Sequence, residues 1–119
     1  MSAHKMSMSH LDSYLKYLRF AEELNREFSL DGREVKMLDL IFMREQQGFP
    51  LNVSQLMSSS DLGSPATNHK VIAQLVRKEM IEYQILDDRR VKYVCVSERA
   101  KKRYAKLGRY IHESSERQF

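Results

Sequence analysis

Apolar positions near the start of the chain recur every three or four residues: Leu11, Leu15, Leu18, Ala21, Leu24 and Phe28, with Tyr14 and Phe20 widening the stripe. The spacing predicts an amphipathic helix from about Ser9 to Glu27. Six or more large apolar groups on one face need a covering surface, from the same chain or from a second subunit. Asp31 followed three residues later by Glu34 has the form of a capping box, and Val35, Leu38, Ile41 and Phe42 carry a second helix towards Gly48 and Pro50. Asn52 can cap a short third helix, Val53 to Ser59, burying Val53, Leu56 and Met57 ahead of a polar turn with Asp61 and Gly63.

Ser64-Pro65 is a helix start, because serine caps free amides and proline at the first position gives up an amide that had no partner. The fourth helix then runs from Pro65 to about Glu79. At 100° per residue Val71, Ile72, Leu75 and Val76 share one face, and Ala66, Thr67, Lys70, Ala73, Gln74 and Arg77 share the other. From Ile81 the period changes to two. Ile81, Tyr83 and Ile85 alternate with Glu82 and Gln84, and beyond the Asp87-Asp88-Arg89-Arg90 turn Val94 and Val96 alternate with Cys95, predicting a hairpin with one buried face. Ser97 is positioned to cap a final helix whose apolar stripe is Ala100, Tyr104, Leu107 and Ile111. The fold class is mainly α with a small β-hairpin: a winged helix-turn-helix carrying added N- and C-terminal helices, with the fourth helix in the recognition position.

Length and composition narrow this picture. The 119 residues, with no repeat, linker or Pro/Gly-rich boundary, predict one domain over 1–119: an N-terminal helix at 9–28, a winged-helix core at 30–97 and a C-terminal helix at 98–114. No run approaches the roughly 20 apolar residues that span a bilayer, and the polar N-terminus lacks a signal-peptide core, so no membrane partner and a cytoplasmic location are expected. A single cysteine, Cys95, cannot form an internal disulfide, and its strand position suits packing ahead of redox sensing. The net charge of +4 is unevenly placed: residues 1–60 hold seven Lys and Arg against eight Asp and Glu, and residues 61–119 hold thirteen against eight. A localised basic surface attracts polyanions, although it also suits a merely solvated face.

The outer face of the fourth helix is the sharpest candidate site. It mixes small residues that permit close approach with hydrogen-bonding and cationic groups suited to base edges and phosphates. At the hairpin tip Asp88 can pair with Arg90 and aim its guanidinium at a phosphate or a narrow minor groove; the alternative is a solvated turn. Nothing points to catalysis. His4, His10, His69 and His112 lack metal-ligand spacing, no Gly-rich phosphate loop occurs, and no serine or cysteine sits in a nucleophile motif, so no catalytic residue, metal or cofactor is assigned.

These segments resemble the MarR superfamily of winged-helix transcription regulators. Leu30-Asp31-x-x-Glu34-x-x-Met37-Leu38 is similar to the family's opening of the second helix, and Leu51-Asn52-Val53-Ser54-Gln55-Leu56 to its entry into the helix-turn-helix. Leu75 through Ile81 resembles the end of the recognition helix, and Asp88-x-Arg90 with Val94 and Val96-Ser97 resembles the wing and its close. The matches keep register over Leu30 to Ala100. The resemblance implies a homodimer on double-stranded DNA, with Ser64, Pro65, Thr67, His69, Lys70 and Gln74 on the recognition helix and Arg90 at the wing, oriented by Asp88; Arg77 joins the expected DNA-binding set from the outer face of the helix. Arg89 would touch phosphate or nothing, and His69 falls on the helix flank.

Glu79 and Ala100 replace usual glycines, and the 22 residues after Ser97 are too few for the usual pair of long C-terminal helices. In size and layout the chain is similar to the short staphylococcal accessory regulator branch. That places the expected dimer interface on the first and last helices, at Leu11, Leu15, Leu18, Tyr104, Leu107 and Ile111. Relatives of this kind respond to small ligands; Met37, Phe42, Met43, Met57 and Tyr83 could line an effector crevice, but their spacing suits ordinary core, and no effector is named. The alternative functions are a winged-helix protein-interaction module and a nonspecific nucleic-acid-binding or replication-associated protein.

Overall fold

The computed structural model describes residues 2–85 and 90–117, with side chains for 9–85 and 90–115. In chain order the elements are α1 (Ser2–Glu27), α2 (Gly32–Gln46), α3 (Val53–Met57), α4 (Pro65–Arg77), β1 (Ile81–Ile85), β2 (Lys92–Val96) and α5 (Glu98–Arg117). They divide into two compact units, Leu30–Lys102 and a second formed by Met1–Ser29 with Arg103–Phe119. No described helix is long and apolar enough to cross a membrane.

In the first unit α2 packs on α4 and β2, α3 on α4 and β2, and α4 on β1. Met37, Leu38, Ile41, Leu56, Leu75, Met80 and Val94 are fully buried, and each contributes about 1.5–3 kcal/mol through removal of apolar surface from water. The caps that bound the helices are those the sequence predicts. Asp31 accepts the Glu34 amide at 2.8 Å while the Glu34 carboxylate accepts the Asp31 amide at 2.9 Å. Asn52 and Gln55 form the same reciprocal pair ahead of α3, at 2.8 and 2.9 Å. Ser97 Oγ accepts the Ala100 amide at 3.1 Å and donates to the Glu79 carbonyl at 2.6 Å, joining the end of α4 to the start of α5.

Several boundaries and faces differ from the sequence reading. α1 begins at Ser2, well before Ser9; the early residues include Ala, Lys and Met, good helix formers that need no apolar stripe to be helical. α3 ends at Met57 and α4 at Arg77. The chain leaves α4 through Glu79 at φ +59, with the Glu79 amide bonded to Val76 O and the Met80 amide to Leu75 O, a Schellman motif with a non-glycine residue in its left-handed position. Val76, expected in the core, is 37% exposed because it lies beside the last, uncovered turn. The hairpin forms in the register Ile81↔Val96, Tyr83↔Val94, Ile85↔Lys92, but burial along β1 is confined to Ile81; Tyr83 is 44% and Ile85 61% exposed. Val94, Cys95 and Val96 are all buried, so the base of β2 is covered on both faces. The Val94 amide also donates to Leu51 O at 2.8 Å, and Asn52 bridges Tyr93, adding a one-residue third rung to the sheet.

In the second unit the Arg103 guanidinium donates to Asn25 Oδ1 through Nε at 3.1 Å and Nη2 at 2.8 Å, joining α5 to α1. Lys106 pairs with Glu27 at 3.0 Å, and Phe20 stacks on Tyr110 with ring centroids 4.4 Å apart.

Candidate nucleic-acid interface

The site begins with α4 and the reason it is a helix with one free face. Ser64 Oγ accepts the Thr67 amide at 3.2 Å, Pro65 occupies the first position, and Asn68, Val71, Ile72 and Leu75 turn inward. The remaining face is left to solvent. Ala66, His69, Lys70, Ala73 and Arg77 are exposed there, and Thr67 and Gln74 are half-buried along one flank. No carboxylate occurs between Pro65 and Arg77. The helix therefore presents two alanines, which let another surface approach its axis closely, beside two cations along about 20 Å of length.

The structure brings Ser64, Pro65, Thr67, His69, Lys70, Gln74 and Arg77 onto this one element, with differing availability. Ser64 Oγ donates to Thr67 Oγ1 at 3.0 Å as well as accepting the Thr67 amide, so both hydroxyls are engaged in the cap. Lys70 and Arg77 are exposed, as is His69. On the hairpin, Arg90 is exposed with φ +58, and Lys92 lies over the Tyr83 ring, 5.9 Å from its centroid. Asp88 and Arg89 lie outside the described residues.

The interface rests on a support that the sequence reading passed over. Asn68 is 1% exposed on the inner face of α4, and its Nδ2 lies 3.2 Å from Leu56 O, 3.2 Å from Met57 O, 3.0 Å from Ser59 O and 3.2 Å from Gly63 O. Four carbonyls around one nitrogen fix it as the amide donor. They belong to the end of α3 and the turn into α4, so one side chain ties both to the inner face of α4. Gly63 is matched to it: its φ is +155, and a Cβ there would sit 3.2 Å from Asn68 Oδ1. The sequence signal was a polar residue in line with Val71, Ile72 and Leu75. At the other end of α4 the Lys78 ammonium lies 2.7 Å from each oxygen of the buried Glu34 carboxylate, tying α4 to the start of α2. Lys36 donates to Asp61 O at 2.8 Å, holding the intervening turn to α2.

Other candidates separate from this surface. Cys95 is buried and its thiol donates to Gln84 Oε1 at 3.3 Å; burial, with the Glu45 carboxylate nearby, pushes its pKa up to about 11. Raised proton affinity keeps it a thiol and makes it unreactive. Met37 belongs to the core and Met43 is exposed, so they do not share one lining. Among the described residues no group of three or more His, Cys, Asp or Glu side chains is placed to hold a metal. In the unit formed by α1 and the C-terminal part of α5, Leu11, Leu15, Leu18 and Ile111 are 66, 43, 42 and 54% exposed. Tyr104 is half-buried and Leu107 is already covered.

No protein-family model matches the chain, and no curated protein matches its sequence. Solved structures do match in fold. A Staphylococcus aureus MepR–DNA complex superposes with a TM-score of 0.68 at 15% identity, covering 99% of this chain and 82% of that one. Rv1404 from Mycobacterium tuberculosis gives 0.60 at 16% identity, covering 98% and 78%. A Clostridium acetobutylicum protein assigned to the MarR family of transcriptional regulators gives 0.56 at 17% identity, covering 94% and 79%. The fold is the MarR-type winged helix.

Proposed function

We propose that the chain is a sequence-specific, double-stranded DNA-binding transcription regulator acting as a homodimer, with α4 in the major groove and Arg90 of the wing in the flanking minor groove. The observation that carries this reading is the free face of α4: alanines for close approach, Lys70 and Arg77 for phosphate or base edges, and no acid to repel a polyanion. The likeness to a structure solved on DNA supports the same use of the fold. Gln74 suits an adenine edge, and Lys70 a guanine edge or phosphate. Ser64 and Thr67 act mainly through the cap, which fixes the start of α4.

Two chains would present two such helices to successive major grooves, and the exposed leucines of α1 with Ile111 supply the apolar surface for pairing. The test is fluorescence anisotropy on a duplex selected from a random pool, comparing wild type with Lys70→Ala and Arg90→Ala. Each replacement should weaken binding, and loss of a phosphate contact should flatten the log–log salt slope by about 0.9. Unchanged affinity and slope in both variants would remove the α4 face and the wing from the mechanism.

A further inference from the structure

We propose that Asn68 is a positioning residue for DNA selectivity: touching no base, it sets the placement of α4 relative to α3, and so decides which base edges Lys70 and Gln74 reach. The inference rests on the DNA-binding reading above and goes beyond it in making a buried amide, rather than an exposed side chain, a determinant of sequence preference.

The geometry supplies the argument. α3 is only five residues long, too short to hold its own conformation, and a helix-turn-helix works only if its two helices keep a fixed relation. The turn from Ser58 to Gly63 has few cross-links of its own: Ser59 donates to Leu56 O, and Leu62 and Gly63 donate to Ser59 O. Met57 O and Gly63 O, at the two ends of that turn, are both within 3.2 Å of Asn68 Nδ2. An NH2 group has two protons for these four acceptors, so the bonds are shared and mutually dependent; a shift of α4 along or about its axis disturbs the whole set at once. Asn68 lies two residues before Lys70 and six before Gln74. A small rotation of α4 at this point displaces both side chains, and base readout through paired hydrogen bonds tolerates little displacement.

An apolar residue would be buried equally well here but would take the Asn68 donor away from these carbonyls. The amide does what an apolar group cannot, which is to fix direction. Gly63 is the complementary half of the device, since a Cβ there presses on Asn68 Oδ1 at 3.2 Å.

The experiment uses the full chain and a random duplex pool. Bound sequences are selected with wild type, Asn68→Leu, Asn68→Ala and Gly63→Ala, and each variant is measured on the wild-type site and on a scrambled duplex below its unfolding temperature. Affinity for the selected site should fall by about tenfold or more, the effect of a misread base pair. Affinity for the scrambled duplex should change less than about threefold and keep its salt slope, because phosphate contacts are tolerant of small displacements. The enriched sequences should change as well.

If both affinities fall together and the base preference stays that of wild type, Asn68 is a stabilising residue only and the inference is overturned. Should the Asn68 variants fail to fold, Gly63→Ala carries the test alone, with the same outcomes deciding. Absence of any preferred sequence with wild type would instead overturn the DNA-regulator reading, and the inference with it.

Discussion

Replacing Lys78 with methionine should be among the most damaging changes available outside the apolar core. The Glu34 carboxylate is fully buried, and Lys78 Nζ lies 2.7 Å from each of its oxygens. Methionine preserves the aliphatic stem and removes the charge, taking the ammonium from beside both oxygens of a buried carboxylate that keeps the Asp31 amide at 2.9 Å. Breaking a buried pair in this way costs about 3–5 kcal/mol. Lys78 is itself about a third exposed, at 32%, so solvent screens the pair and about 2–3 kcal/mol is expected. With a urea m-value of about 1–3 kcal/mol/M, the unfolding midpoint should fall by about 0.7–3 M.

The companion change is Glu34→Gln, which keeps an oxygen for the Asp31 amide and leaves the lysine able to turn to water, at a cost of about 1 kcal/mol. The double variant should then be more stable than Lys78→Met alone, since no charge is stranded. Urea unfolding followed by circular dichroism completes the cycle. A Lys78→Met loss below about 0.5 kcal/mol, or simple additivity of the two changes, would refute the buried-pair argument.

Three further outcomes follow from local geometry. Glu79→Gly should stabilise the chain by about 1 kcal/mol, because the residue stands at φ +59 in the left-handed position of the Schellman motif; an unchanged melting temperature would count against strain there. The Cys95 thiol is raised from 9.0 to about 11 in the native chain, so its proton is held more tightly folded than unfolded. Its contribution is present below pH 9 and lost as the pH rises towards 11; the stability difference between wild type and Cys95→Ala should shrink over that window, and a constant difference would contradict it. Leu15→Glu with Leu18→Glu should convert a dimer to monomer in light scattering with little loss of helix, since both side chains are more than 40% exposed in the single chain; an unchanged mass would place pairing elsewhere.

What the sequence made legible was mostly local. Asp31, Asn52, Ser64 and Ser97 act through amides within three residues, so their side-chain type and spacing announce the helix starts. The hairpin itself was legible for a similar reason, because a period of two survives whatever lies above it. Burial along the hairpin was not: Tyr83 and Ile85 keep the alternating pattern but lie on the part of β1 that leaves the core. Asn68 was illegible because its four partners are carbonyls, which no side-chain pattern encodes. The Asn52–Tyr93 bridge pairs single residues forty-one positions apart and leaves no periodic trace. For the candidate site the face of α4 was readable from the helical wheel, while the engagement of Ser64 and Thr67 in the cap was visible only in three dimensions.

The most direct test of the central claim is selection of bound duplexes from a random pool by the intact chain, with the mass of the complex measured by light scattering and the affinity titrated against salt. The account predicts two chains on an approximately two-fold symmetric sequence, with affinity falling steeply as salt rises. Enrichment of no sequence, or binding indifferent to salt, would contradict it.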